Sequence, residues 1–138
     1  MALQFSIPVR NAMLDSIPTI VGTGARIMFY TGAPPANTSA SLDGIANIKI
    51  CEFDLASTWM NLASIGSKSF SGMPMQVAAI SGGILGCFQL YAADGITVHM
   101  QGTITATGGG GDITVDQTSV INGQLINITG FTLTAPGV

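Results

Sequence analysis

The sequence is poor in charged residues. Only 8% of its 138 residues are Asp, Glu, Lys or Arg, whereas about 25% is usual in a soluble domain. The net charge is -3, and the four basic residues are scattered along the chain. Nucleic-acid binding requires clustered Lys and Arg side chains that neutralise phosphates. The composition therefore argues against a nucleic-acid partner.

Long apolar runs are also missing, although 47% of the residues are hydrophobic. The most apolar stretch, residues 73–93, is interrupted by proline, glycine and glutamine, and a transmembrane helix needs about 18 or more continuous apolar residues. The N-terminus shows no secretion signal. We expect no membrane partner, and a single domain over residues 1–138 with residues 1–20 as a helical N-terminal arm.

Cysteine and histidine are scarce. Cys51 and Cys87 lie outside any Cys-x-x-Cys pattern, which argues against a zinc site. We predict two reduced, packed thiols, with a disulfide between them as the alternative. The single histidine, His99, is expected on the polar face of a strand, where it has no recognisable nucleophile motif beside it.

Acidic residues are too sparse to predict a metal site. Asp94, Asp112 and Asp116 could bind Ca²⁺, but their spacing does not match an EF-hand. Solvated turn residues are the simpler interpretation. Together with the isolated histidine, this pattern predicts a protein that is not an enzyme and has no metal or cofactor.

The N-terminal region has the periodicity of a helix. Val9, Met13 and Ile17 recur at intervals of four residues, which predicts an amphipathic helix that starts near Ser6 and ends at Pro18. Such a helix has about three turns and is too short to be stable alone. Its apolar face must therefore contact the rest of the chain or a neighbouring subunit.

After residue 25 the pattern changes to the alternation of β-strands. Half-buried strands are predicted at 46–53 and 88–91, and further strands at 26–30, 96–105, 112–116 and 124–134. In the 96–105 strand, Ile96, Val98, Met100 and Ile104 should share one face. The turn at 93–95 predicts an antiparallel hairpin between the strands on either side of it.

Two glycine features complete the strand pattern. The glycine tetrad 108–111 is expected to form a flexible hairpin. A β-bulge at 129–130 would place Ile126, Ile128, Phe131 and Leu133 on one face. The prediction is a mainly β fold, an antiparallel β-sandwich or jelly-roll-like barrel with one short N-terminal helix.

The low charge favours a protein whose surface is covered by other proteins. Exposed apolar area normally marks an interaction surface, and a chain with few charges must cover its outside with small polar residues. We therefore expect a structural assembly subunit that contacts copies of itself or a larger lattice.

Four segments carry a family resemblance: residues 9–17, 30–36, 99–116 and 128–134. Together they resemble a family of small structural proteins of tailed bacteriophages, apart from Pro18, where the family helix continues. The resemblance implies a capsid decoration or cement protein, often a homotrimer, that binds the outer capsid lattice and bridges major capsid subunits. It also implies a virion location after assembly in the bacterial cytoplasm, and no catalytic residues.

Under this hypothesis the residues of interest are contact residues. We select the segment 5–14, the loop 33–37 and the only tryptophan, with two alternatives: the helix only caps the β-domain, and the tryptophan only packs in the core. The candidate interface residues are Phe5, Val9, Arg10, Met13, Leu14, Ala33, Pro34, Pro35, Asn37 and Trp59.

Two other functions are compatible with the same pattern. One is a tail or baseplate structural or adaptor protein. The other is a receptor- or carbohydrate-binding β-sandwich, in which Trp59, Tyr30 and Tyr91 would provide stacking surfaces.

Overall fold

The computed structural model describes residues 3–39, 42, 47–71 and 75–137. The fold is mainly β with one helix, as predicted. Its elements are α1 (Ile7–Val21), β1 (Arg26–Thr31), β2 (Lys49–Asp54), β3 (Ser67–Ser69), β4 (Met75–Ala78), β5 (Gly83–Tyr91), β6 (Val98–Ala106), β7 (Ile113–Val115), β8 (Ser119–Val120) and β9 (Leu125–Thr134). Within the described ranges, no helix is long and apolar enough to span a membrane.

Helix α1 begins as predicted but extends further. Ser6 is its N-cap and Pro8 lies in the first turn, where the missing amide hydrogen costs no helical hydrogen bond. The prediction that Pro18 ends the helix is wrong, because a proline this close to the C-terminus removes only one backbone hydrogen bond. The helix ends instead at Gly22, which has a φ of 82° and donates its amide to the Pro18 carbonyl.

The strands form one curled sheet. Its order is β2-β1-β5-β6-β7-β9-β3, with β4 also paired to β9 and β8 to β5. Immediately after β4, the Ile80 amide donates to the Ile50 carbonyl of β2 at 2.8 Å. The sheet therefore curls until its two sides meet, and we call it the barrel.

The pairing of β5 with β6 is antiparallel, as the turn at 93–95 predicts. The glycine tetrad, however, is not a hairpin, because β6 and β7 pair in parallel with Ile104 opposite Ile113. To run in parallel after so short a connection, the chain folds back over β6. Gly111 lies so close to β6 that an added Cβ would be 2.8 Å from the Thr105 backbone nitrogen.

The predicted bulge in β9 is confirmed. Thr114 of β7 faces Gly130, whereas Val115 faces Ile128, so Thr129 is the extra residue. The extra residue restores the inward phase of the strand. The side chains that it brings to the core are Ile126, Ile128 and Phe131, with Leu133 packed against them.

The main core fills the interior of the barrel. Phe70 is at its centre, with ring centroids 4.6 Å from Phe131 and 5.9 Å from Trp59. Trp59 is only 3% exposed. It therefore packs in the core, which was the alternative to its prediction as an interface residue.

A second, smaller core lies on the outer side of the sheet. It consists of Met28, Tyr30, Leu42, Cys87 and Tyr91, with Val98 packed against it. Strand β5 is therefore buried on both faces over residues 87–91, and the prediction of a half-buried strand at 88–91 is wrong. The loop after β1 covers the face that the alternation predicts to be exposed.

The predicted common face of residues 96–104 is also only partly correct. The register between β5 and β6 shifts between Leu90 and Tyr91, so Met100 packs on the main core while Val98 packs on the second. A one-residue shift moves every following side chain to the other face. Ile96 lies in the turn before β6 and is exposed.

Strand 46–53 is observed from Lys49 onward as β2, and residue 46 lies outside the described residues.

The close approach of the tetrad to β6 predicts that Gly111→Ala destabilises the protein by about 2 kcal/mol, because the new methyl group overlaps the Thr105 backbone. Urea unfolding would measure this loss. Gly123→Ala is the matched control: it has a φ of 86° but nothing within 4 Å of an added Cβ, so only the backbone cost of about 1 kcal/mol is expected. Equal losses in the two variants would contradict the packing argument.

Candidate interaction surface

The inward side of α1 carries the charged residues of the helix. The guanidinium of Arg10 is buried and donates to the Ala135 carbonyl at 3.1 and 3.4 Å. It lies against Gly66, where an added Cβ would collide with it. Arg10 therefore ties the first turns of the helix to the end of β9 and the loop before β3.

A second charged contact fixes the middle of the helix. Lys68 of β3 has a side chain only 2% exposed and donates to Asp15 Oδ1 at 2.6 Å and to the Asn61 carbonyl at 2.7 Å. Asp15 also accepts the Ala63 amide at 2.9 Å. The bond from Lys68, followed by that from Ala63, holds the pKa of Asp15 below its usual value.

The apolar residues of the helix divide between its two sides. Ile17 and Val21 pack on the main core, so α1 closes one end of the barrel, as the capping alternative proposes. Val9, Met13 and Ile20 are nevertheless exposed on the opposite side. The helix therefore caps the barrel and also presents an unpaired apolar stripe.

The structure separates the predicted N-terminal contact residues into two groups. Phe5, Val9 and Met13 are exposed and remain candidates for contact with another protein. Arg10 and Leu14 are buried against the chain itself, so they position the helix and offer no surface to a partner. Sequence periodicity alone does not distinguish the two groups. It assumes that the apolar side of a helix faces the protein, whereas the inward side of α1 carries the polar residues Arg10 and Asp15.

Exposed apolar side chains collect at the two ends of the barrel. We define the helix end as the end where β1 and β6 begin, and the turn end as the end where they finish. The helix end carries Leu3, Phe5, Ile7, Val9, Met13, Ile20, Leu62, Ile65 and Ile96, and the turn end carries Ile48, Ile80, Ile84, Ile121 and Leu125. These are all the large apolar side chains classed as exposed in the described part of the chain.

The turn end was missed by the sequence analysis. Its two turns, residues 79–83 and 121–124, are joined by the Ala79 amide, which donates to the Gln124 carbonyl, and by the Gly123 amide, which donates to the Ala79 carbonyl. Ile121 is 72% exposed and Ile84 67% exposed. One feature of the sequence could have indicated this surface. Isoleucines occur in or beside glycine-rich turns in segments 78–86 and 117–126, and neither segment contains a charged residue.

The predicted contact loop 33–37 is fastened to the outer side of the sheet. Gln101 donates to the Pro35 carbonyl at 2.7 Å, and Gln89 accepts the Leu42 amide at 2.9 Å. Pro34 and Pro35 are half-buried. Ala33 and Asn37 are exposed, as is Ala36 between Pro35 and Asn37, so a partner could contact these residues of the loop.

The aromatic residues suggested for ligand stacking do not form a binding platform. Tyr30 and Tyr91 are fully buried and join their hydroxyl groups at 2.9 Å, while Trp59 lies in the main core. Stacking of a sugar requires an exposed ring face. The prediction that these three residues provide stacking surfaces for a carbohydrate is therefore wrong.

The chemically reactive side chains are dispersed. His99 borders a shallow groove of about 270 Å³ beside Ile20 and Met100, and across the described residues it makes no hydrogen bond to a serine, threonine or cysteine side chain. The groove lies between α1 and β6. The groove walls are mainly apolar.

Each predicted turn acid is used locally. Asp94 accepts the amides of Ile96 and Thr97, which together with the Thr97 hydroxyl lower its pKa to about 2. Asp112 accepts the Thr103 amide of β6, and Asp116 accepts the Asn127 amide of β9. Among the residues that the structure covers, no group of three or more His, Cys, Asp or Glu is placed to hold a metal ion.

The two cysteines are free and buried, as predicted. Cys51 belongs to the main core and Cys87 to the second core on the other face of the sheet. Burial raises the pKa of Cys51 to about 12 and that of Cys87 to about 11. Both are therefore protonated and poorly reactive at neutral pH.

Comparison with known proteins identifies no relative: no protein-family model matches the chain, and no curated protein or solved structure does.

The buried Lys68 predicts a pH-dependent effect of Asp15→Asn. At neutral pH the variant should have a lower melting temperature, because the buried ammonium loses its counter-charge. Asp15 has a lowered pKa when folded, so its stabilising effect is present above the unfolded pKa of about 4 and is lost as pH falls through the lower folded pKa.

Thermal unfolding followed by circular dichroism from pH 7 to pH 2 would test this. The difference between the wild type and Asp15→Asn should shrink at low pH, because Asp15 of the wild type becomes protonated and is then as uncharged as the asparagine of the variant. Asp54→Asn is the control and should change the melting temperature little, because the Asp54 side chain is 84% exposed and its ion pair with Arg26 is long, at 3.9 Å. A difference between the wild type and Asp15→Asn that is constant over the whole range would contradict the role of the ion pair.

Proposed function

We propose that this protein is a capsid decoration or cement protein of a tailed bacteriophage, a structural subunit that bridges neighbouring capsid proteins and stabilises the head. The observation that carries the proposal is the collection of exposed apolar side chains at two opposite ends of one barrel. Contiguous exposed apolar surface in a folded protein marks interaction sites.

Two separate surfaces suit a bridging role. β5 has nine residues, so about 30 Å of strand separates the helix end from the turn end. One subunit could therefore contact two neighbours without either contact blocking the other. Such a protein stabilises a lattice by mass action, in proportion to its affinity and occupancy.

The basic residues of the chain are all engaged within the protein. Lys49 pairs with Glu52 at 2.7 Å, and Arg26 lies 3.4 Å from the same carboxylate. With Arg10 and Lys68 bonded inside the protein, all four basic residues of the chain are used. The exposed acids outside ion pairs are spread over the barrel: Asp94 lies before β6 at the helix end, Asp112 on the side, and Asp116 after β7 at the turn end.

The resemblance of four sequence segments to phage structural proteins narrows the assembly to a virion. It supports attachment to the outer surface of the major capsid lattice, homotrimer formation and a virion location as parts of the same proposal. The loop residues Ala33 and Asn37 are exposed and would be secondary contacts.

A tail or baseplate subunit is the second candidate. The helix end and the turn end differ from each other, and contacts between unlike surfaces of identical subunits build rings or open stacks. Stacked rings are characteristic of tails rather than of shells. The number of copies per particle separates the two functions.

The turn end predicts how a single charge should affect attachment. Ile121→Asp should reduce binding to particles that lack the protein by about tenfold or more, because an unpaired carboxylate would be buried at the contact. Co-sedimentation with such particles, together with quantified gel bands of purified virions, measures binding and copy number.

Thr132→Asp adds the same charge to an exposed position on the side of the barrel and should bind normally. Hundreds of copies per virion would support the decoration role, and a few or a few dozen would favour the tail. Absence of the protein from purified virions would refute both functions.

A further inference from the structure

We propose that Asn122 is a site of spontaneous deamidation, and that this modification adds a negative charge to the turn end while that end is uncovered. Asn122 is the only asparagine of the sequence that precedes a glycine. A glycine has no side chain to hinder its backbone nitrogen when that nitrogen attacks the preceding side-chain amide. The inference rests on the proposed function only for its consequence, because the modification can be measured on the purified protein.

The reaction needs only water as a co-reactant. The Gly123 nitrogen loses its proton and forms a bond to the side-chain carbonyl carbon of Asn122. The bond between that carbon and the side-chain nitrogen breaks, and ammonia leaves with the proton. Water then opens the resulting succinimide ring at either carbonyl, which gives aspartate or isoaspartate. Both products carry a carboxylate where the asparagine was neutral.

The structure makes Asn122 accessible to this reaction. It is exposed in the turn 121–124, which the Gln124 amide closes by donating to the Ile121 carbonyl at 3.1 Å. The side-chain hydrogen bonds of this turn are made by Gln124, which accepts the Ile121 amide and donates to Gln117. Over the described residues, nothing lies within 4 Å of a Cβ added to Gly123. The Asn122 side chain therefore has room to rotate towards the attacking nitrogen.

One hydrogen bond controls the reaction. The Gly123 amide donates to the Ala79 carbonyl at 2.7 Å, so the nitrogen that must lose its proton is engaged while the turns 79–83 and 121–124 are joined. One such bond lowers the reactive population by about tenfold. Deamidation therefore proceeds from an opened turn. A partner that covers the turn end and holds this bond closed should suppress it.

The new charge would fall in a segment that has none. Segment 117–126 contains no charged residue, and the neighbouring Ile121 is 72% exposed. A carboxylate beside Ile121 would be buried without a partner when the turn end is covered, which is costly. Protein that has deamidated before assembly should therefore attach less well, so that newly made subunits are favoured.

Incubation of the purified wild type at mildly alkaline pH tests the inference. Peptide mass spectrometry should show replacement of the side-chain NH2 by OH at Asn122 before any other asparagine. The rate should rise with pH, because the attacking nitrogen must lose a proton. In urea the same site should react about tenfold faster, because the bond to Ala79 is lost. Asn122→Gln is the matched control and should stay unmodified, since its longer side chain closes a ring much less readily.

Folded protein that stays unmodified at Asn122 while unfolded protein reacts would overturn the inference. Equal rates in the folded and unfolded protein would also overturn it, because the bond to Ala79 would then control nothing.

Asn122→Asp measures the consequence for attachment. In co-sedimentation with particles that lack the protein, it should bind about tenfold less than the wild type, whereas Thr132→Asp carries the same charge on the side of the barrel and is the control. Unchanged binding of Asn122→Asp would overturn the effect on attachment. Failure of the wild type itself to bind would refute the proposed function instead, and the deamidation measured on the purified protein would still stand.

Discussion

The buried ammonium group of Lys68 determines how α1 is oriented. A charge removed from water needs a charged partner and further hydrogen bonds, and Lys68 obtains them from Asp15 and the Asn61 carbonyl. The buried guanidinium of Arg10 is satisfied in the same way, by the Ala135 carbonyl. Because both charged residues of the helix must face the protein, the opposite side of the helix, with Val9, Met13 and Ile20, must face outward.

Much of the β-structure could be predicted from the sequence, because it depends on local signals. Alternation identified β1, β2, β5, β6, β7 and β9 but not the short strands β3, β4 and β8. A three-residue turn identified the β5–β6 hairpin, and the change of phase at Thr129 identified the bulge. The errors arose where distant segments decide. Gln89 and Tyr91 are buried because a loop far away in sequence covers them, and no pattern within β5 records that loop.

The glycine tetrad shows the same limit. Its composition indicates a turn, but a hairpin and a fold-back into a parallel neighbour both need glycine. Only the contact of Gly111 with Thr105 selects the second geometry.

Pro18 shows that a local rule can also mislead. Whether a proline ends a helix depends on how many helical residues follow it, and only three follow Pro18.

The candidate surface was predictable in part. Periodicity found the apolar stripe of α1 but assigned its inner neighbours Arg10 and Leu14 to the same contact, since it cannot tell which side the barrel takes. Trp59 was selected for its rarity, and rarity does not report burial. The turn end escaped notice because its isoleucines come from segments more than thirty residues apart in sequence, which are brought together by the hydrogen bonds of Ala79 and by the pairing of β5 with β8.

The low charge of this chain therefore has a spatial meaning. Its four cations are bonded within the fold, so neither end presents a free ammonium or guanidinium group. The exposed acids are not confined to the side of the barrel, because Asp94 lies in the turn before β6 at the helix end and Asp116 follows β7 at the turn end. A partner that covers either end must therefore leave these carboxylates in water or meet them with a positive group, since an unpaired buried carboxylate is costly.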